Sequence, residues 1–486
     1  MSVTYDPDSL AQADVKPDTA ARDRQVIWLL LVSAFTVILN ETIMGVALPR
    51  LMNDLGITAS AGQWLTTAFL LTMAVVIPIT GFLLQRLATR QVFLMAMGLF
   101  SFGTLICATA PGLGQLIAGR IVQATGTAMM MPLLMTTVMS LVPPETRGKT
   151  MGNISIVISV APAIGPTISG IILNLLHWRW MFWLVLPIGL AALALGYFRL
   201  VNVNEPKARP LDLISVPLSA VGFGALVYGL STIGESHGAA PVQPWMPLTL
   251  GVVVIALFAA RQLKLAPQGR ALLDLRTFGN RVFTVSVVMM GLCMMALFGM
   301  IILLPIYMQN VLGMEPLEAG LSLLPGGLLM GLMAPTVGRL YDRIGARKLV
   351  IPGGFFVSAG LWLMATLHAE TAVWHVLVCH VILSIGLALL FTPLFTSALG
   401  SLPKELYSHG SAVLGTTQQV AGAAGIALFV SVMSLAAAAA ASGGADVVHA
   451  TAAGVRAGFM TGGAVSLALI VAGFFVRRPP DMRDDA

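Results

Sequence analysis

The sequence predicts an all-α integral membrane protein of fourteen transmembrane helices, arranged as two six-helix bundles plus two inserted helices. Three observations point there. Hydrophobic residues fill 57% of the 486 positions and charged residues only 10%, against roughly 25% in a soluble domain. That is too little charge to cover a water-soluble globule of this length. The apolar residues gather into runs near the roughly 20-residue length that crosses a bilayer. A segment early in the chain is repeated late in it. With a mean hydropathy of +0.89, these observations exclude a soluble enzyme and a disordered chain. They also exclude a nucleic-acid partner: the pI is about 9.5 but the net charge is only +6, and the placement of the charges says more than their sum.

Residues 1–24 form a polar tail without a small-residue cleavage site behind a short apolar core. The first apolar run is therefore expected to remain as a span. Residues 25–200 hold six candidate spans, near 25–48, 62–84, 91–110, 113–138, 150–176 and 180–200. Residues 201–281 hold the inserted pair, near 212–233 and 245–263, with basic linkers. Residues 282–476 hold the last six, near 282–308, 317–339, 347–367, 373–397, 408–441 and 454–476, ahead of a tail at 477–486. The run 408–441 is longer than a bilayer needs, and its end, Ala436 to Ala441, is expected to project. No run alternates with period two, and a segment crossing lipid must be helical or part of a closed barrel. Strands are excluded.

Basic residues set the orientation. An even number of spans puts both termini and every second loop on one side. Of the 27 Lys and Arg residues, 23 fall on that side; Arg50, Arg179 and Arg456 fall on the other, and Arg120 lies within a span. By the positive-inside rule both termini are cytoplasmic, and the expected location is the cell (inner) membrane. Cys107, Cys293 and Cys379 all lie in apolar runs and form no disulfide framework.

The repeat is specific. Segment 78–90, PITGFLLQRLATR, aligns without gaps to 335–347, PTVGRLYDRIGAR, pairing Gly81 with Gly338, Arg86 with Arg343 and Arg90 with Arg347. Upstream, Leu48, Pro49 and Met52 pair with Leu304, Pro305 and Met308. Spans one to six thus correspond to spans nine to fourteen. Parallel six-span repeats are the architecture of transporters whose halves rock about a central site.

The motifs in these spans resemble those of the major facilitator superfamily, specifically its fourteen-helix drug–proton antiporter family. The first span ends LNETIMGVALP (39–49), similar to the family's LDxTIVNVALP. GRLYDRIGARK (338–348) resembles the superfamily's loop signature, RIVQATGTA (120–128) its fourth-span motif, and APAIGPTISG (161–170) its antiporter motif. WRWMFWLVLPIG (178–189) is similar to a sequence typical of the fourteen-helix group. NET (40–42) and QRLATR (85–90) resemble the lincomycin-efflux branch. The resemblance implies the major facilitator fold, proton-coupled export of drug-like small molecules, and no enzymatic activity.

The residues support specific roles. Glu41 is the one acidic residue of 21 lying well inside a span. An ionised carboxylate is expensive at that depth, so Glu41 is a candidate to accept a proton on one side and release it on the other; hydrogen bonding for packing is the alternative. The family's acid aligns with Asn40, one position earlier. Arg120, the one basic residue inside a span, must face the interior and find partners, and the resemblance makes it the second proton-coupling residue. Gln123, at i+3 on the same face, joins Asn40 and Glu41 as candidate cavity lining.

Pro162 and Pro166, with Gly165 and Gly170, suit a bent helix that packs closely and seals the cavity. Gly81, Arg86, Arg90, Gly338, Asp342, Arg343 and Arg347 are candidates for a cytoplasmic gate, with Gln85 standing where the first repeat would match Asp342. Asp212, at a span end, is the next acidic candidate after Glu41. His380 alone among seven histidines lies clearly within a span, and no metal-ligand spacing occurs. No phosphate-binding GxxxxGK[ST] loop is present, so neither metal nor cofactor is expected. The methionine clusters at 129–131, 289–290 and 294–295 suit either packing or a pliable pocket.

The function these readings favour is export of amphipathic, often cationic drugs in exchange for protons, by a monomer. One alternative is transport of a single defined metabolite such as an amino acid or siderophore. Another is a polytopic receptor or lipid-handling scaffold, which the repeat argues against.

Overall fold

The computed structural model describes residues 19–204, 206, 210, 212–234 and 243–476. Within them are fourteen α-helices and no strand. The first six are α1 (Thr19–Leu55), α2 (Ala59–Arg86), α3 (Thr89–Ala108), α4 (Leu113–Leu141), α5 (Arg147–Leu175) and α6 (Trp180–Arg199). An inserted hairpin follows, α7 (Ser215–Gly234) and α8 (Trp245–Leu265). The last six are α9 (Arg281–Asn310), α10 (Pro316–Ile344), α11 (Arg347–Met364), α12 (Val373–Gly400), α13 (Tyr407–Ser442) and α14 (Val447–Gly473). Thirteen are long and apolar enough to cross a membrane; α11, with Arg347 and Lys348 in its first turn, is the exception. Lys16, Lys207, Arg209, Arg477, Arg478 and Arg483, part of the charge bias, lie outside the described residues.

The duplication read in the sequence recurs in the packing. Within the first bundle α3 packs on α4 and α6, α2 on α4, and α1 on α4, α5 and α6. Within the second, α11 packs on α12 and α14, α10 on α12, and α9 on α12, α13 and α14, the same set moved by one repeat. The seams between bundles also come in matched pairs, α5 with α10 and α2 with α13, flanked by α4 with α13 and α5 with α12. The inserted hairpin breaks this symmetry. Helix α7 packs on both α2 and α13, with Trp64 stacked on Tyr228 at 6.0 Å between centroids, while α8 packs on α7 and on the segment leading to α9.

Close helix approach explains the glycine content. In lipid no hydrophobic force draws helices together, so small residues and tight van der Waals contact hold the bundle. A Cβ at Gly152 of α5 would lie 2.9 Å from the Pro335 Cα of α10, and one at Gly425 of α13 would lie 2.6 Å from the Met295 Cα of α9. Met130, Met289 and Met290 are fully buried within the bundles, so these members of the clusters pack the core.

The loops that carry the repeated segment differ in their turns. Gly345 ends α10 at φ 78°, a conformation that only glycine adopts cheaply, and its N–H donates to Tyr341 O at 2.8 Å. The matching Ala88 takes ordinary extended backbone at φ −66°. Both loops lie at the end of the molecule called below the basic face.

Candidate functional site

The polar centre of the first bundle is built around Arg120. Its guanidinium donates to Gln123 Oε1 at 2.7 Å and to Asn40 Oδ1 of α1 at 3.3 Å. It also lies 4.0 Å from the centre of the Phe69 ring of α2. Gln123 Nε2 donates to Thr104 Oγ1 of α3 at 2.8 Å, and that hydroxyl donates to Phe100 O at 2.7 Å. Four helices are thus tied by one buried cation: Arg120 is 1% exposed, Asn40 2% and Gln123 0%. The hydrogen bonds and the aromatic face offset the cost of holding this charge away from water. The buried Arg120 Nε is left without a hydrogen-bond partner.

Glu41 follows Asn40 and is therefore turned by about 100° around α1. It is partly exposed, and its carboxylate stands outside the network within electrostatic reach of Arg120. Of the three residues expected to line a cavity, Asn40 and Gln123 are enclosed in the network, and Glu41 keeps open surface.

The antiporter-motif residues divide between two neighbours. Gly165 faces α1 in its own bundle, where an added Cβ would lie 3.0 Å from the Thr42 Cβ and closer still to the Thr42 hydroxyl. Pro166 and Gly170 face α10 across the seam, opposite Gly320 and Leu317. The motif therefore touches the other half and also fixes α1 one residue beyond Glu41.

On the basic face, Asp342 of α10 accepts from the first backbone N–H groups of α5, Gly148 N at 2.8 Å and Lys149 N at 2.9 Å. It caps a helix of the opposite bundle, where unsatisfied donors and the helix dipole favour a carboxylate. Gly338 lies against Gly148 so closely that no side chain fits between them. In the matching seam, Gln85 of α2 donates to Glu405 O just ahead of α13 at 2.8 Å, and an added Cβ at Gly81 would lie 3.0 Å from the Ala412 Cβ. Thr136 and Ser411 share a hydrogen bond of 2.8 Å, as do Thr392 and Ser155, in both cases between bundles. Arg90 does not cross a seam: it donates to Tyr197 O and covers the Tyr197 ring, fastening α3 to α6. Arg86 lies over Phe82 of its own helix at 6.0 Å, and Arg343 and Arg347 are exposed.

The Major Facilitator Superfamily model matches residues 30–426, from within α1 to the middle of α13. The chain belongs to the major facilitator superfamily. It is similar to the lincomycin resistance protein LmrB of Bacillus subtilis, 39% identical over 405 residues, which are 83% of this chain and 84% of that one. It is similar also to the multidrug resistance protein B homolog of Mycobacterium tuberculosis, 30% identical over 80% of this chain and 72% of that one. The human organic anion transporter MFSD10 (TETRAN) superposes with a TM-score of 0.67 at 15% identity, covering 94% of this chain and 99% of that one, a likeness of fold. This major facilitator protein is thus a multi-pass membrane protein of a transporter family.

Three features of this transporter are not legible from its motifs. Thr104 and Phe69 complete the Arg120 site from helices whose sequence marks neither. His409, buried at the start of α13, faces Gly81 across the α2–α13 seam. Asp212 is not a free acid: Arg261 grips it at 2.7 Å through both Nε and Nη2, and Ser215 Oγ donates to it at 2.5 Å. The Arg261 hydrogen bonds hold this carboxyl well below the usual carboxylate range. Gln262 extends the clamp from Ser215 to the backbone N–H groups of Leu272 and Leu273.

Proposed function

We propose that this chain is a proton-coupled exporter of amphipathic, often cationic drugs, working as a monomer in the cell membrane with its basic face and both termini in the cytoplasm. The observation that carries this reading is the arrangement at α1: the carboxylate of a half-buried Glu41 without a fixed hydrogen bond, beside a cation that is fixed by Asn40, Gln123 and Phe69. A carboxylate held that way is free to titrate, whereas one locked to Arg120 would not be. Its relatives, named for lincomycin resistance and multidrug resistance, supply the substrate class.

The cycle follows from the two groups. A cationic drug and a proton compete for Glu41, so binding of either promotes release of the other. Arg120 keeps positive charge beside this site when the drug has left. The Gly165–Thr42 contact keeps this turn of α1 in register with α5, the helix that also meets α10. The seams around Asp342 and Gln85 join the halves across the basic face and must part for drug to enter from the cytoplasm. Neither enzymatic chemistry nor a resident cofactor is needed.

The test is Glu41→Gln, which preserves shape and much hydrogen bonding but cannot titrate. Cells carrying the wild-type gene should survive higher lincomycin or ethidium than cells without it. Glu41→Gln should abolish that gain, and in inverted vesicles should lose pH-gradient-driven uptake of both drugs while remaining in the membrane. Full gradient-driven transport by this variant would remove Glu41 from the mechanism, and no resistance to either drug from the wild type would overturn the substrate class.

A further inference from the structure

The two bundles can be matched residue by residue through their closest helix contacts. A Cβ at Gly126 of α4 would meet Ala96 O and Phe100 N of α3; one at Gly386 of α12 would meet Gly353 O and Val357 N of α11. Gly103 likewise lies on the Gln123 backbone, and Gly360 on that of Leu383. These pairs fix the register: 257 residues separate α3 from α11, and 260 separate α4 from α12. In that register Arg120 corresponds to His380. The ungapped alignment of Pro78 with Pro335 gives α2 and α10 a separation of 257, so Phe69 corresponds to Gly326.

The correspondence extends to contact. In the first bundle the Arg120 guanidinium lies on the Phe69 ring. In the second, the His380 ring lies on Gly326, where an added Cβ would stand 2.5 Å from His380 Cε1, 2.6 Å from Nδ1 and 2.7 Å from Ser384 Oγ. A cation on a phenyl ring has been exchanged for an imidazole in the space that a glycine leaves. His380 is 5% exposed, and its Nδ1 has no hydrogen-bond partner. The helices packed against α12 bring no charge to this depth. Helix α9 carries none beyond Arg281, α10 none between Glu318 and Arg339, α11 none after Lys348, and α5 none after Lys149. Besides the charged residues at the helix ends, the titratable groups on these elements are His375 and Cys379 of α12 itself, Cys293 and Tyr307 of α9, Tyr341 near the end of α10, and Tyr407 and His409 at the start of α13. No carboxylate answers His380 as Glu41 answers Arg120.

We propose that His380 is a second proton station of the transporter, in the C-terminal bundle at the repeat position that Arg120 holds in the N-terminal one, so that two protons rather than one are exchanged per cycle. The neutral ring fits the closed niche. An imidazolium there has no counter-charge and requires the niche to be wet. The wall of that niche can transmit the change, because Gly327, adjacent to Gly326, lies against Ala163 in the antiporter motif of α5. Movement of α10 along α5 therefore alters the surroundings of His380, and protonation of His380 biases that movement.

This inference rests on the antiport reading and is tested by counting protons. Wild type and His380→Gln would be reconstituted in liposomes with the membrane potential held at zero. The steady-state gradient of ethidium or lincomycin would then be measured against an imposed pH gradient. Each coupled proton multiplies that gradient by about ten per pH unit. The expected result is about a hundred-fold for wild type and about ten-fold for His380→Gln, with Glu41 intact in both. An undiminished hundred-fold gradient in His380→Gln, or a ten-fold gradient in wild type, would overturn the assignment while leaving proton coupling in place. A wild type that transports drug with no response to the pH gradient would instead remove the antiport reading itself. His380→Asn serves where the Gln variant does not fold, and the wild-type count is decisive without any variant.

Discussion

Removing the Asp342 carboxylate should loosen the basic face by an amount the geometry sets. In Asp342→Ala, Gly148 N and Lys149 N lose acceptors at 2.8 and 2.9 Å. Loss of an N-terminal cap costs about 1 kcal/mol, and the charge at a partly exposed helix start contributes about 0.5–1 kcal/mol more. The sum of about 2 kcal/mol is close to thirty-fold in the equilibrium between joined and parted seams. Asp342→Asn keeps an acceptor but not the charge and should cost about half as much. Gln85→Ala removes one neutral hydrogen bond worth about 1 kcal/mol or less, a few-fold at most. A thiol at position 136, which meets Ser411 across the bundles at 2.8 Å in the native protein, reports the opening. With Cys107, Cys293 and Cys379 replaced, its maleimide labelling rate in nanodiscs should rise most in Asp342→Ala, less in Asp342→Asn and least in Gln85→Ala. Equal rates within two-fold across all three would refute the capping argument.

The remaining expectations are brief. Gly165→Ala should impair export and Gly165→Leu abolish it without loss of membrane insertion, because even a Cβ there meets Thr42; normal export by a well-expressed Gly165→Leu protein would remove the role given to that contact. Asp212→Asn should lower stability by about 1–2 kcal/mol, since a charge-assisted pair is lost but Arg261 remains a third exposed. The Asp212 carboxyl is held low in the folded state, so its contribution is complete above the unfolded value near 3.9 and is lost only as pH falls further. The thermal-melt difference between variant and wild type should therefore be constant from pH 5 to 8. Cysteines at Gln268 and Ser442, both exposed, should label from opposite sides of the membrane, Gln268 from the cytoplasm; labelling of both from one side would overturn the proposed topology.

The sequence made thirteen of the spans legible because length and hydropathy suffice for them, and α11 and the repeat because the motif that leads into α11 is ungapped. Arg120 and Gln123 were legible as a pair through their i, i+3 spacing. What pairs with them was not. A helix that is apolar all round gives little sign of which side meets protein and which meets lipid: Phe100 is fully buried while Phe102 is 58% exposed, and nothing local separates them. For the same reason the spacing of Pro162, Gly165, Pro166 and Gly170 announced close packing but not that Gly165 turns to α1 and Gly170 to α10. Asp212 read as a spare acid because Arg261 lies 49 residues away, a separation at which charge pairing leaves no pattern.

The inserted hairpin has a consequence for the motion of the halves. Helices α2 and α13 belong to opposite halves, and α7 packs on both, so any rocking of the halves must slide α7 over at least one of them. It also leaves the transporter with two unlike flanks. Where α2 meets α13, α7 packs on both with α8 outside it, whereas the main contacts of the hairpin do not include α5 or α10. The two seams between the halves are therefore bordered differently, and a molecule duplicated in its packing is handed in what flanks that packing.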